Sequence, residues 1–139
     1  GELDFAHSQN ERIRASYLRE NFEAVGAAGL WDLVEGEGQV TEGIEVTLTP
    51  GHTPFHQSVL IRSGGETACF LADVCPTSAH LPLPWIMGYD LEPLVTLESK
   101  RVLWERALEE DWILVFEHDP RVPWGRLDPD AGRIQLREE

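Results

Sequence analysis

Residues 44–58 read IEVTLTPGHTPFHQS, an alternating segment that runs into a turn. Apolar and polar residues alternate up to Thr49, which predicts a strand with one buried face. Pro50 and Gly51 end that strand, because proline donates no hydrogen bond and glycine permits a sharp turn. His52 therefore stands just beyond the carboxyl end of a strand, where loops held by a rigid sheet commonly carry functional side chains.

Two more side chains that can bind a metal follow predicted strands. The apolar strand 67–72 leads into Asp73, and the apolar strand 113–116 is followed two residues later by His118. If these strands are neighbours, both side chains converge with His52. Two imidazoles and a carboxylate are a common ligand set for zinc and similar ions, which acidify bound water. The alternative is that they are ordinary surface histidines and a turn-forming aspartate.

The remaining pattern predicts one layered α/β domain. Amphipathic spacing indicates helices over 11–25 and 92–110. Residues 57–62 predict another strand, and residues 124–136 predict one or two edge strands. The proline-containing segment 74–91 predicts a long loop, and loops of this length in a compact domain are often functional.

The composition excludes several classes of protein. A formal net charge of -14 over 139 residues repels nucleic acid and anionic membranes, so we expect neither as a partner. No apolar run approaches the ~20 residues that span a bilayer. No secretory leader pattern opens the sequence, so we expect a cytoplasmic location. Two cysteines do not make a disulfide framework. Cys69 is expected in the core, and Cys75 is considered as an alternative metal ligand.

These motifs resemble, in the same order, those of the metallo-β-lactamase-fold hydrolases. Residues 51–58 are similar to the GHTPGHxS segment of that family, and residues 70–73 to its apolar strand that ends in a bridging aspartate. Residues 117–120 look like the His-Asp-Pro of its lactonase-like members. The resemblance covers roughly residues 40–120 and implies the C-terminal half of an αββα sandwich, a mixed sheet with helices on one face.

The resemblance also implies a role for each residue. His52 would bind a first metal, Asp73 would bridge both metals, and His118 would bind the second. The supporting residues would be Thr53, His56 and Asp119. The reaction would be hydrolysis of a small ester, lactone or thioester by metal-bound hydroxide, with two zinc ions or with iron or manganese in their place.

Three residues of the long loop are further candidates. His80 could be a proton shuttle or a substrate contact, or only a hydrogen-bonding loop residue. Tyr89 could stabilise an oxyanion, or be a buried tyrosine with a bonded hydroxyl. Asp90, which precedes the second predicted helix, is expected to cap it.

The sequence departs from the family pattern at several points. The HxHxDH motif, which would supply the other ligands and a proton-handling aspartate, does not occur in the 139 residues. Phe55 and Ala72 stand where glycines are expected. Pro76 stands where acyl-homoserine lactonases usually carry a tyrosine, which argues against that substrate. The C-terminal signatures of glyoxalase II and of persulfide dioxygenases are also missing.

Three interpretations therefore stay open. The first is a metal-dependent hydrolase of a small molecule, whose site an N-terminal half completes. The second is a non-catalytic half-domain, whose uncovered apolar sheet face forms a homodimer or pairs with an N-terminal half. The third is a binding module with a decayed metal site, against which the intact His52, Asp73 and His118 argue.

Overall fold

The structure, a computed structural model, describes residues 1–8, 10–130 and 134–137. The chain divides into two compact units, of which the first is Gly1–Glu35 and the second begins at Gly36. Among the described residues, none of the helices combines the length and the apolar character of a membrane span.

The first unit contains short helices. They are α1 (Glu2–His7) and α2 (Glu23–Ala27), with a 3-10 turn at Arg19–Asn21. The predicted helix over 11–25 is wrong, because residues 11–16 form turns. The side chain of Asn10 accepts hydrogen bonds from the backbone of Arg12 and Ile13, which favours a local turn over a continuing helix. Aromatic pairs also join this segment to α1: Phe5 with Tyr17, and His7 with Phe22.

The second unit is built on a mixed sheet. Its strands are β1 (Gly38–Thr41), β2 (Ile44–Leu48), β3 (Gln57–Ser63), β4 (Glu66–Phe70), β5 (Ile113–Val115) and β6 (Trp124–Arg126). Strand order in the sheet follows the chain, and every neighbouring pair is antiparallel except β4 and β5. That parallel pair needs a crossover, which α3 (Pro93–Glu109) supplies. The predicted strands 44–49, 57–62, 67–72 and 113–116 and the second predicted helix are confirmed, with ends that differ by up to two residues. Of the predicted edge region 124–136, β6 is a strand, while residues 131–133 lie outside the described residues. The sequence pattern did not predict β1.

The hydrophobic core lies between α3 and one face of the sheet. Leu60, Cys69 and Leu114 from the strands are buried together with Leu103 and Trp104 from α3. Strand side chains alternate between the two faces. The opposite face carries a row of Val46, Val59 and Phe70, paired in register across β2, β3 and β4. These three are only half-buried, and Leu48 and Ile61 beside them are exposed. Both faces of the sheet are therefore apolar.

Cys75 is a core residue, like Cys69. Burial raises the pKa of each thiol to about 12, so both are protonated at neutral pH. The Cys75 thiol donates to the carbonyl of Thr77 at 3.4 Å. Because the Cys75 thiol is fully buried in the core and contacts this carbonyl, the alternative that Cys75 binds a metal is not supported.

Lys100 organises the long loop from inside the protein. This lysine is fully buried, and burial lowers its pKa. Its ammonium group donates to the backbone carbonyls of His80 (2.5 Å), Pro82 (2.9 Å), Leu83 (3.4 Å) and Trp85 (3.0 Å). A buried cation needs such partners to offset its lost hydration. Residues 74–91 therefore form an ordered segment with little regular structure, as predicted, apart from 3-10 turns at Ala72–Val74 and Ser78–His80.

Candidate metal centre

The turn between β2 and β3 presents His52. Gly51 has a φ of +131°, and a Cβ at this position would lie 2.2 Å from the Thr96 hydroxyl oxygen, so only glycine fits. The start of α3 holds the turn from the other side. The backbone N–H of Glu92 donates to the Gly51 carbonyl at 2.8 Å, and that of Leu91 donates to the His52 carbonyl at 3.2 Å.

A buried carboxylate fixes the ring of His52. The Asp90 side chain is only 1% exposed, and its Oδ1 accepts a hydrogen bond from His52 Nδ1 at 3.0 Å. Its Oδ2 accepts one from the Thr96 hydroxyl at 2.5 Å. The prediction that Asp90 caps the helix is wrong, because α3 has Glu92 as its N-cap and no side-chain cap. An ionised carboxylate only accepts hydrogen bonds, so the proton of His52 lies on Nδ1 and the Nε2 lone pair points the other way.

The structure brings His52 and His118 next to Asp73, and that the three bind a metal stays a prediction. The pair Phe70 and Val115 is in register between the parallel strands β4 and β5. Asp73 and His118 each follow this pair by three residues, so they emerge side by side. His52 Nε2 lies 3.5 Å from Asp73 Oδ2, and His118 Nε2 lies 3.3 Å from Asp73 Oδ1. Each carboxylate oxygen therefore faces a different imidazole.

These separations fit a metal centre. Two ligands of one tetrahedral zinc ion are about 3.4 Å apart, given zinc bonds to nitrogen and oxygen of about 2.0–2.2 Å. The lone pair of His52 Nε2 and a carboxylate oxygen of Asp73 repel each other unless a cation lies between them. The side chains of His52, Asp73 and His118 are 21%, 29% and 55% exposed, so the site is accessible to solvent.

Asp119 anchors the turn that carries His118. Its Oδ2 accepts hydrogen bonds from the hydroxyl (2.5 Å) and the backbone N–H (2.9 Å) of Ser78. Its Oδ1 accepts two backbone N–H groups of its own turn. The Ser78 hydroxyl, followed by these backbone donors, holds the pKa of Asp119 well below its usual range. The N–H of His118 also donates to the Pro76 carbonyl at 3.0 Å. The contacts of Asp119 with Ser78 tie this turn to the long loop. That Asp119 orients the His118 ring stays a prediction.

His56 and Thr53 support the backbone near the site. The N–H of Asp73 donates to His56 Nε2 at 3.2 Å, which leaves the proton of that ring on Nδ1, where it contacts Thr49. The Thr53 carbonyl accepts hydrogen bonds from the N–H groups of Gly51 (3.0 Å) and His56 (3.3 Å). These contacts suit the supporting roles that the sequence predicts.

The backbone conformation at Ala72 shows why the family pattern has glycine at this position. This residue has a φ of +49°, in the left-handed region that glycine adopts without strain. Glycine would adopt this conformation without strain, whereas alanine here costs about 1–2 kcal/mol.

The two loop candidates, His80 and Tyr89, have different surroundings. His80 Nδ1 and the Thr77 hydroxyl lie 2.8 Å apart, and burial followed by the charge of Lys100 lowers the pKa of His80. Tyr89 is exposed and not buried as its structural alternative requires. Their roles as proton shuttle and oxyanion stabiliser stay predictions.

The sequence interpretation missed Glu117. Glu117, Asp73 and His118 each offer one ligand atom, and these atoms lie within 4.8 Å of one another. The available signal was that Glu117, an acidic residue, directly precedes the predicted ligand His118.

Comparison with known proteins relates the chain to metal-dependent hydrolases. No family model matches the sequence. The chain is 33% identical over 116 residues to an N-acyl homoserine lactonase of Bacillus cereus, which covers 80% of this chain and 45% of that protein. It is 27% identical over 126 residues to the N-acyl homoserine lactonase AttM of Rhizobium radiobacter, covering 86% of this chain and 47% of that protein. The chain thus spans less than half the length of these curated relatives.

Solved structures show the same fold. A probable metal-dependent hydrolase from Staphylococcus aureus superimposes with a TM-score of 0.85 at 23% identity, over 99% of this chain and 50% of that chain. AidC, a dizinc quorum-quenching lactonase, gives a TM-score of 0.74 at 19% identity, over 95% of this chain and 46% of that chain. The predicted fold class is confirmed by these likenesses.

The close approach of Gly51 to Thr96 gives a stability prediction. Gly51→Ala should lower the free energy of unfolding by at least about 2 kcal/mol, because a Cβ there clashes with α3 and the backbone is strained. Gly88→Ala is the control, since a Cβ at Gly88 meets no atom within 4 Å. Urea unfolding followed by circular dichroism measures both. Equal stability of the two variants would contradict the clamped turn.

Proposed function

We propose that the chain, which has the metallo-β-lactamase fold, is the C-terminal half of a metal-dependent hydrolase acting on a lactone or a similar small ester or thioester. The observation that carries this function is the convergence of His52, Asp73 and His118 at ligand-to-ligand distances. Relatives named N-acyl homoserine lactonase support the substrate class.

The donor set suits two divalent ions. His52 Nε2 with Asp73 Oδ2 would hold one ion, and His118 Nε2 with Asp73 Oδ1 would hold the other. We propose zinc, with iron or manganese as alternatives. When bound, such ions polarise a carbonyl oxygen and acidify water.

Hydrogen bonds within the protein orient the proposed metal ligands. Asp90 holds the proton of His52 on Nδ1, so Nε2 can bind a metal. His56 Nε2 accepts a hydrogen bond from the backbone N–H of Asp73. This contact helps to fix the backbone that carries the Asp73 carboxylate. These hydrogen bonds restrain the His52 ring and the backbone of Asp73, which lowers the ordering cost of binding a metal.

Pro76 bears on the substrate class that can be proposed. The residue offers no hydroxyl where acyl-homoserine lactonases usually carry a tyrosine. In this chain its carbonyl instead accepts the N–H of His118 at 3.0 Å. We therefore propose the broader class of lactones and small esters rather than acyl-homoserine lactones in particular.

We propose that an N-terminal half completes the site. The HxHxDH motif, with its further ligands and its proton-handling aspartate, does not occur in the 139 residues. On this view the chain alone retains metal through its own ligands but hydrolyses little or no substrate.

Metal content is the first test. We expect the chain, purified without added metal or chelator, to hold about one or more equivalents of a zinc-like metal. His52→Ala and His118→Ala should each lose it, because each removes an imidazole ligand. His7→Ala is the matched control, since His7 lies in the first unit. Equal content in all four proteins, or none in the wild type, would contradict the metal centre. Rapid lactone hydrolysis by the chain alone would contradict the need for a second half.

A second candidate function is a non-catalytic half-domain that associates through its sheet. The supporting observation is the apolar face opposite α3, with the row of Val46, Val59 and Phe70 half-buried and Ile61 and Leu48 exposed. An apolar face of this kind favours burial against a partner. The partner would be a second copy of the chain or an N-terminal half.

Sedimentation equilibrium tests self-association through this face. If a second copy covers it, the wild type should be a dimer and Ile61→Glu should be a monomer, because a charge would enter the interface. Val102→Glu is the control, since Val102 is exposed on α3. A wild type that stays a stable, cooperatively unfolding monomer would exclude the homodimer.

A further inference from the structure

We propose that Glu117 is a further metal ligand, and that Glu117, Asp73 and His118 form a three-ligand site for a divalent cation within this chain. The inference rests on the proposed metal centre and adds to it a ligand that the His-Asp-His pattern does not contain. With Glu117, one of the two proposed metal positions has a different set of ligand atoms from the other.

The geometry brings three donors from two adjacent strand ends to one point. One ligand atom each from Asp73, Glu117 and His118 lies within 4.8 Å of the others. Ligands on opposite sides of an octahedral ion are about 4.4 Å apart at bond lengths near 2.2 Å, and neighbouring ligands are closer. His118 Nε2 and Asp73 Oδ1 already lie 3.3 Å apart. Because Glu117 is exposed, a small rotation of its side chain completes the set.

The backbone that carries these donors is held in place by contacts that do not involve a metal. Leu71 N–H donates to the Val115 carbonyl at 3.1 Å and joins the ends of β4 and β5. Asp119, next to His118, is tied to Ser78. A cation bound at this point would therefore order side chains and little backbone, which favours binding by this chain without donors from another half.

Charge favours a cation here. The carboxylates of Asp73 and Glu117 repel each other at short range unless a positive charge lies between them. Two carboxylates and one imidazole also make a harder donor set than one imidazole and one carboxylate. The position beside Glu117 should thus accept Mn²⁺ or Fe²⁺ as well as Zn²⁺, whereas the position beside His52 has fewer oxygen donors within this chain.

Mn²⁺ binding tests the role of Glu117. The metal-free 139-residue chain is titrated with MnCl₂, and free Mn²⁺ is followed by its electron paramagnetic resonance signal. Glu117→Gln should weaken binding roughly tenfold or more, because an amide oxygen is a poorer ligand than a carboxylate. Glu105→Gln makes the same change in charge and shape at an exposed site on α3, and it should bind like the wild type.

Glu117→Asp provides a second variant, which keeps the carboxylate on a shorter side chain and should bind with intermediate affinity. Unchanged melting temperatures would show that the variants fold. Wild-type affinity in Glu117→Gln would overturn the inference, and so would a wild type that binds no Mn²⁺. If Glu117→Gln binds normally while His52→Ala and His118→Ala lose zinc, the metal centre stands and Glu117 is a solvated surface acid.

Discussion

The hydrogen bond between His52 and the buried Asp90 carboxylate is the interaction on which the candidate site depends. It joins the turn after β2 to the segment that starts α3, two parts of the chain that are far apart in sequence. It also decides which ring nitrogen of His52 carries the proton. The Thr96 hydroxyl of α3 donates to the same carboxylate, so residues of the fold orient the His52 ring.

The helix α3 therefore has three tasks. It crosses over between the parallel strands β4 and β5, and so places Asp73 beside His118. It clamps the turn at Gly51 through Thr96. It also holds the long loop through Lys100, whose ammonium group binds four backbone carbonyls. Core packing and ligand placement thus depend on the same element, which links the stability of this unit to the geometry of the site.

Local rules in the sequence predicted what depends on local structure. Strand periodicity and the Pro-Gly stop gave β2 and the position of His52, and similar patterns gave Asp73 and His118. The helix over 11–25 failed because Asn10 and aromatic contacts with α1 favour turns over a continuous helix. Capping is a local rule, so the sequence predicts Asp90 as a helix cap, whereas its partner His52 lies 38 residues away. The carbonyl partners of Lys100 lie in an irregular loop, which no periodicity describes.

The most direct test of the converging metal centre is the nitrogen-15 spectrum of the histidine rings, recorded with and without added zinc. We expect the Nε2 signals of His52 and His118 to move to metal-bound positions, while Nδ1 of His52 keeps its proton for Asp90. The rings of His7 and His80 should not change. Zinc-insensitive signals from His52 and His118, or a shift confined to the other histidines, would contradict the convergence of these ligands on a metal.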